Sequence, residues 1–143
     1  MSFNVLIVDD SNAMRAVIKK IVTISGFQMD QCLEAGNGRE AMDVLSQNWI
    51  DVIISDINMP EVSGLELLDL LQKSDTLKEI PVIMITTEGS SDRMQEAYNR
   101  GAKGFIKKPF LPEDIRKVLY EVIGVGENGE YKEDTGSADE CDF

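Results

Sequence analysis

Acidic side chains follow two short apolar runs of the sequence. Asp9 and Asp10 come directly after the run 4–8, and Asp56 comes shortly after the run 52–54. Runs of this length and composition are typical of buried strands, and a carboxylate at the carboxyl end of a parallel strand lies on the edge where ligands bind. Asp56 taken alone could equally cap a turn, because Asp is a common turn residue.

A hydroxyl and an ammonium group follow two further apolar runs. Thr86 ends the run 81–86, and Lys108 follows the run 104–107. If the strands are parallel, all of these side chains share one edge of the sheet, whatever the strand order. Three carboxylates repel one another unless a cation intervenes. Three Asp and one Lys leave two negative charges, and hard oxygen ligands without His or Cys favour Mg²⁺ as the balancing ion.

An Asp beside Mg²⁺, a fixed Lys and a hydroxyl has the parts needed to accept a phosphoryl group. The carboxylate of Asp56 would be the nucleophile, and the cations and the hydroxyl would neutralise charge on the phosphoryl oxygens. Each residue also has an ordinary interpretation: Asp9 and Asp10 as acids at a helix entry, Thr86 as a strand residue, Lys108 as surface charge. Only their joint placement favours a phosphoryl site.

Hydrophobic periodicity predicts five strands that alternate with five helices. Ser11 or Asn12 can cap the first helix and Gly26 ends it, while Asn37 and Glu40 form a capping pair for the second. Strict alternation of this kind predicts a parallel sheet with helices on both faces, because parallel neighbours need crossover connections. It leaves the strand order open. The predicted strands lie at 4–8, within 27–35, at 52–56, at 81–86 and at 104–107.

The length and composition indicate one domain and an acidic tail. The chain has 143 residues and a net charge of −12, and 124–143 carries seven acidic residues and one Lys. We therefore expect a domain at 1–124 and a flexible acidic tail at 125–143, whose simplest interpretation is a solvated end. The acidic balance argues against direct nucleic-acid binding. Without an apolar span or a secretory signal we expect a cytoplasmic protein, with Cys32 and Cys141 as free thiols.

The chain contains no His. This excludes His-based general acid-base catalysis, most zinc sites and a phosphohistidine on the chain itself. Any phosphoryl group must therefore come from another protein or from a small acyl phosphate.

Residues 3–123 resemble the receiver domain of two-component response regulators, in particular the single-domain chemotaxis members of that family. The matching motifs keep the family's order and spacing along almost the whole domain. They are Val8-Asp9-Asp10-Ser11 followed by Arg15, Asp56-Ile57-Asn58-Met59-Pro60 with Gly64, Ile85-Thr86-Thr87-Glu88, Gly101-Ala102-Lys103-Gly104-Phe105, and Lys108-Pro109-Phe110.

The resemblance implies a doubly wound α/β fold, the flavodoxin-like (βα)5 sandwich with a five-stranded parallel sheet. It also implies that Asp56 is the phosphoacceptor. Asp9 and Asp10 would hold Mg²⁺ together with Asp56 and the main-chain carbonyl of Asn58. Lys108 matches the site lysine, and the peptide bond that joins it to the following proline should be cis.

The resemblance further assigns the switch and the residues that tune dephosphorylation. Thr86 matches the hydroxyl that binds the phosphoryl group, and Phe105 the aromatic ring that turns inward in response. Asn58 and Glu88 match positions that tune the attacking water. A haloacid dehalogenase-like phosphohydrolase is the alternative from another class, but it needs a second Asp where this chain has Asn58. We therefore expect that the protein is not a turnover enzyme. It would only assist its own phosphorylation and autodephosphorylation.

The implied partners are a histidine kinase and a downstream protein, which would resemble a flagellar switch if the pathway is chemotaxis. A phosphatase is a further candidate partner. A phosphorelay shuttle or a stress-pathway receiver is the alternative. Output would use the face of the fourth helix, fifth strand and fifth helix, whose charges could equally be ordinary solvated ones. That face would carry Arg93, Arg100, Phe105, Lys107, Arg116 and Lys117.

Overall fold

The computed structural model describes residues 2–59, 62–86 and 91–124. Within these ranges five strands alternate with five helices. The strands are β1 (Phe3–Val8), β2 (Met29–Ala35), β3 (Val52–Asp56), β4 (Val82–Thr86) and β5 (Gly104–Lys107). The helices are α1 (Asn12–Ser25), α2 (Gly38–Gln47), α3 (Gly64–Gln72), α4 (Ser91–Asn99) and α5 (Pro112–Ile123).

All strand pairs are parallel, and the order in the sheet is β2-β1-β3-β4-β5. The predicted doubly wound, flavodoxin-like fold is confirmed. The strand order reverses at β1, because β2 lies on one side of β1 and β3 lies on the other. Polar residues that follow β1 and β3 therefore meet at a topological switch point, the usual place for a ligand in an open α/β sheet.

The inner strands β1, β3 and β4 are buried on both faces, as their continuous apolar runs predict. One core packs β-strand side chains such as Leu6, Ile53 and Met84 against α2 and α3. The other packs the alternate residues, Ile7, Ile54 and others, against α1 and α5. Successive strand residues point to opposite faces, so every strand contributes side chains to both cores.

Local signals set the helix ends where the sequence predicts them. The Ser11 hydroxyl accepts a hydrogen bond from an N–H of the first turn of α1, and Gly26 ends that helix in the left-handed conformation at φ 87°. The Asn37 side chain accepts the N–H of Glu40 at 2.9 Å, and the Glu40 carboxylate in turn accepts the N–H of Gly36 at 2.7 Å. These caps place the loops that follow β1 and β2 on the same edge of the sheet.

Several predictions concern residues outside the described ranges: the tail at 125–143, including Cys141, and the position of Glu88. Cys32 is a half-buried free thiol. Among the described residues, no helix is long and apolar enough to cross a membrane.

Candidate functional site

Three carboxylates meet at the carboxyl edge of the sheet. Asp9 and Asp10 follow β1 and Asp56 ends β3, and each offers an oxygen that lies within 4.8 Å of the other two. Asp9 is buried, Asp56 is half-buried and Asp10 is exposed. The cluster is therefore open to solvent on the side of Asp10 and closed on the side of Asp9.

Asp9 is held by one of its oxygens, while the other is left for a cation. Oδ1 accepts the N–H of Ser11 at 2.9 Å. Oδ2 is buried and has no hydrogen-bond partner within the described part of the chain, although Lys108 Nζ lies 3.8 Å away. A buried carboxylate oxygen without a hydrogen bond is costly, and a cation held between the carboxylates would remove that cost. The donor set, all carboxylate oxygen, fits Mg²⁺.

Burial raises the pKa of Asp9, and the neighbouring Asp10 raises it further, while the Ser11 N–H and Lys108 lower it in part. Burial also raises the pKa of Asp56, and the negative charge of Asp9 raises it further. Lys108 and the main-chain N–H groups of Ile57 and Asn58 lower the pKa of Asp56 in part. The carboxyl groups of Asp9 and Asp56 thus resist ionisation as long as no further cation is present.

The residues after Asp56 form a tight loop that fixes its carboxylate. The N–H of Ile57 donates to Asp56 Oδ1 at 2.8 Å, and the N–H of Asn58 also bonds to the carboxylate. The N–H of Gly64 donates to the carbonyl of Ile57 at 2.8 Å, which ties the start of α3 to the loop. A side chain at Gly64 has no room, because its Cβ would lie 2.2 Å from the carbonyl oxygen of Asp56.

Thr86 and Phe105 lie on the neighbouring strands β4 and β5. Asp56 pairs with Ile85, so Thr86 is the next residue along the strand beside the carboxylate, and its side chain is buried. Phe105 is half-buried and packs against the core on the α2 and α3 side. Lys108 follows β5, and its peptide bond to Pro109 is cis, as the resemblance implies.

Arg15 has a place in the site that the sequence analysis did not assign. Its guanidinium bonds to the main-chain carbonyl of Asp9 and to the side chain of Asn12, and its Nε donates to Glu34 at 2.9 Å. Arg15 thereby joins the loop that carries Asp9 to α1 and β2. Its signals in the sequence are its place after the motif Val8-Asp9-Asp10-Ser11 and its distance of one helical turn from Ser11, the helix cap.

A second contact that the sequence analysis missed lies on the exposed side of the cluster. Nη2 of Arg93, in the first turn of α4, donates to the side-chain oxygen of Asn58 at 3.1 Å. Since the main-chain N–H of Asn58 bonds to Asp56, a continuous chain of contacts runs from α4 to the central carboxylate.

On the basic surface predicted on α4, β5 and α5, some of the basic side chains are engaged with other residues of the chain. Arg100 is engaged on the α3 side, where it pairs with Asp69 at 3.2 Å and with Glu96 at 3.0 Å. Arg116 stacks over the ring of Tyr120. The side chains that line a shallow depression on this face are mixed in character and include Phe105, Lys107, Asp114, Lys117, Val118 and Glu121.

The metal-free protein is expected to lose stability as the pH rises above the ordinary carboxyl range. The pKa values of Asp9 and Asp56 are raised from 3.8, so between 3.8 and the raised values the folded chain binds more protons than the unfolded chain. Across that window the free energy of unfolding falls with increasing pH. Mg²⁺ requires the ionised carboxylates, so its stabilising effect grows across the same window.

Thermal unfolding with and without Mg²⁺ at about pH 4 and about pH 8 checks this expectation. At about 100 times its Kd, Mg²⁺ adds about 2.7 kcal/mol to the free energy of unfolding, and we expect this gain at the higher pH only. Potassium chloride at equal ionic strength is the control for screening. An equal gain from Mg²⁺ at both pH values would mean that the ion binds elsewhere.

Comparison with known proteins places the chain in a family of signalling domains. Residues 5–120 match the family model described as the response regulator receiver domain. A chemotaxis protein CheY homolog of Campylobacter jejuni is 41% identical over 122 residues, which cover 85% of this chain and 92% of that protein. The chemotaxis protein CheY1 of Helicobacter pylori is also 41% identical, over 85% of this chain and 98% of its own length.

Solved structures agree with this match. The chemotaxis response regulator CheY4 of Vibrio cholerae superposes with a TM-score of 0.75 at 36% identity, over 85% of this chain and 99% of that one. The receiver domain of a histidine kinase from Syntrophus aciditrophicus superposes with the same TM-score at 32% identity, over 85% of this chain and 90% of that one.

Proposed function

Because the chain belongs to the response regulator receiver family, and thus to two-component signalling, we propose that it is a Mg²⁺-dependent phospho-switch with Asp56 as the acceptor. Members of this family are signalling proteins rather than turnover enzymes, and they generally bind Mg²⁺ through acidic residues. The observation that carries the proposal is the meeting of Asp9, Asp10 and Asp56 within 4.8 Å, with Lys108 beside them.

The reaction is a transfer to the carboxylate of Asp56 from a phosphohistidine of a kinase. An oxygen of Asp56 forms the new bond to phosphorus as the bond from phosphorus to the imidazole nitrogen breaks. The electron pair of that bond stays on the imidazole, which takes a proton from solvent. The N–H groups of Ile57 and Asn58 hold the carboxylate in position, and Lys108 and Thr86 face the phosphoryl oxygens.

Asp9, Asp10 and Asp56, with the main-chain carbonyl of Asn58, are the proposed ligands of Mg²⁺. When bound, the ion neutralises charge on the phosphoryl oxygens and on the carboxylates. The buried Oδ2 of Asp9, which has no hydrogen bond among the described residues, supports this assignment.

The signal leaves the site through Thr86 and Phe105. The buried hydroxyl of Thr86 turns to the new phosphoryl group, and the half-buried ring of Phe105 moves further inward. This changes the face of α4, β5 and α5, and a downstream protein binds the changed face. Asn58 and Glu88 tune the lifetime of the phosphoaspartate, and Glu88 lies outside the described residues.

We propose chemotaxis as the pathway and the cytoplasm as the location. The proteins of Campylobacter and Helicobacter that are 41% identical to this chain are both named as chemotaxis proteins, and this supports a target of the flagellar switch type. A phosphorelay or a stress pathway is the alternative, because the acceptor chemistry would be the same in each.

Incubation with acetyl phosphate tests the proposed function. With Mg²⁺ the intact mass is expected to rise by one phosphoryl group, and with EDTA it is expected to stay unchanged. No rise with acetyl phosphate or with an autophosphorylated histidine kinase would contradict the proposal. Steady hydrolysis of p-nitrophenyl phosphate, a simple monoester, would instead indicate a phosphohydrolase.

The same assay tests the proposed boundary between the receiver domain at 1–124 and the tail at 125–143. A chain truncated after Gly124 should gain the phosphoryl group at the rate of the full chain. A truncated chain that no longer binds Mg²⁺ would show that the tail is part of the folded unit.

A further inference from the structure

Arg93 is a cationic side chain that contacts Asn58, an exposed residue of the loop that carries the Asp56 carboxylate. It lies in the first turn of α4 and is half-buried, and its Nη2 donates to Asn58 Oδ1 at 3.1 Å. The contact joins residues 35 positions apart. It therefore ties α4 to the loop after β3 by a hydrogen bond from a charged donor, the stronger kind.

Asn58 lies where solvent reaches the acceptor. Asp9 and Thr86 are buried, whereas Asp10 and Asn58 are exposed. Among the described residues, the exposed side chains of Asp10 and Asn58 therefore lie on the side from which water can approach a phosphoryl group on Asp56. The main-chain N–H of Asn58 is bonded to the Asp56 carboxylate, so the side chain of Asn58 starts close to the acceptor, two residues further along the chain.

Phosphorylation adds charge at this point. The carboxylates and Lys108 balance a divalent cation before transfer, and the phosphoryl group adds about one further negative charge. The guanidinium of Arg93 is always ionised, and it is attracted to that added charge from its position on Asn58.

We propose that Arg93 is a positioning residue that holds Asn58 across the solvent side of the acceptor and so lengthens the life of the phosphoaspartate. This inference rests on the proposed function. Without Arg93, the Asn58 side chain loses the hydrogen bond at 3.1 Å, and water reaches the phosphorus more often. Hydrolysis breaks the bond from phosphorus to the Asp56 oxygen, returns the carboxylate and releases inorganic phosphate.

The test compares the rate of dephosphorylation of four variants after labelling with acetyl phosphate and removal of the excess. Arg93→Ala is expected to lose its phosphoryl group about five-fold faster than the wild type, which corresponds to one hydrogen bond of about 1 kcal/mol. Arg93→Lys should recover part of the lifetime. Arg100→Ala is the matched control, because it removes the same charge one residue after the end of α4, at a site bonded to Asp69 and Glu96.

The fourth variant places Arg93→Ala in an Asn58→Ala background, and its rate is compared with that of Asn58→Ala alone, measured beside the wild type as a second reference. If Arg93 acts through Asn58, the substitution should then have no further effect on the rate. An undiminished effect in that background, or an Arg93→Ala rate equal to that of Arg100→Ala, would overturn the inference. Unchanged midpoints of thermal unfolding would show that none of the effects is a loss of folding.

The side-chain amide resonance of Asn58 supplies a measurement that needs neither Mg²⁺ nor phosphate. It should shift in Arg93→Ala and stay in place in Arg100→Ala. If it does not shift, the inference fails while the proposed function stands. If the wild type takes no phosphoryl group at all, the proposed function fails, and the inference about Arg93 and the lifetime of the phosphoaspartate fails with it.

Discussion

Asp56→Asn is expected to abolish the gain of one phosphoryl group that the wild type shows with acetyl phosphate and Mg²⁺. The amide is nearly the same size as the carboxylate but is not a nucleophile at neutral pH. The neighbouring carboxylates do not replace it. Asp9 is buried and one of its oxygens accepts the N–H of Ser11, while Asp10, the next residue in the loop after β1, is exposed. Intact mass measured over a time course checks the outcome.

The same substitution should leave the fold intact and raise its stability in the absence of Mg²⁺. Burial and the charge of Asp9 raise the pKa of Asp56, which means that its ionised form is unfavourable in the folded chain. A neutral side chain removes that cost at neutral pH. Asp43→Asn, an exposed substitution on α2, is the matched control and should change neither quantity. A phosphoryl group that still appears on the Asp56→Asn variant at the wild-type rate would mean that another residue is the acceptor.

Gly64→Ala is expected to destabilise the protein and to disturb the acceptor together. The added Cβ would lie 2.2 Å from the carbonyl oxygen of Asp56 and 2.9 Å from Cα of Ile57, both main-chain atoms of the site loop. Neither atom can move without breaking the bond from the Gly64 N–H to the Ile57 carbonyl. Overpacking of this kind costs about 3 kcal/mol, or a fall of roughly 10 °C in Tm for a domain of this size.

Gly36→Ala is the control, because there the added Cβ meets only ends of side chains, Glu40 Oε1 at 3.2 Å being the nearest. Scanning calorimetry gives the stability, and a titration followed by calorimetry gives the affinity for Mg²⁺. For Gly64→Ala both should fall, and for Gly36→Ala both should stay near the wild type. Unchanged values for Gly64→Ala would mean that the loop after β3 accommodates a methyl group without moving Asp56.

The elements of this fold could be predicted because local signals agree with one another. The run 52–54 is apolar throughout and belongs to a strand buried on both faces, and Ser11 and Gly26 bound a helix with an apolar stripe. The meeting of the carboxylates followed from one further step. If all strands are parallel, residues after their carboxyl ends share an edge, and the register from Asp56 to Ile85 places Thr86 beside them.

The strand order could not be predicted in the same way. Periodicity indicates which face of a strand is buried, but it does not say which strand lies beside it. The pairing of β1 with both β2 and β3 depends on contacts between residues far apart in the chain. The contact from Arg93 to Asn58 was missed for a related reason, since each residue alone is an ordinary polar side chain near a loop.

For the predicted basic face, the sequence suggested more basic charge available to a partner than the structure shows. A count of Arg and Lys on α4 and α5 treats each charge as free to face a partner. Arg100, however, reaches across to Asp69 on α3, and Arg116 lies on the ring of Tyr120. Long side chains choose among neighbours that only the tertiary structure supplies.

The ion pair of Lys108 with Asp9 joins a residue after the last strand to a residue after the first. The two strands are separated in the sheet by β3 and β4, so the pair forms only when β1, β3, β4 and β5 have assembled. A chain still attached to the ribosome with Lys108 inside the exit tunnel therefore lacks this ammonium group, however much of β1 to β4 has folded. If the proposed phosphoryl transfer requires Lys108, a nascent chain acquires it only after β5 has left the ribosome and joined the sheet.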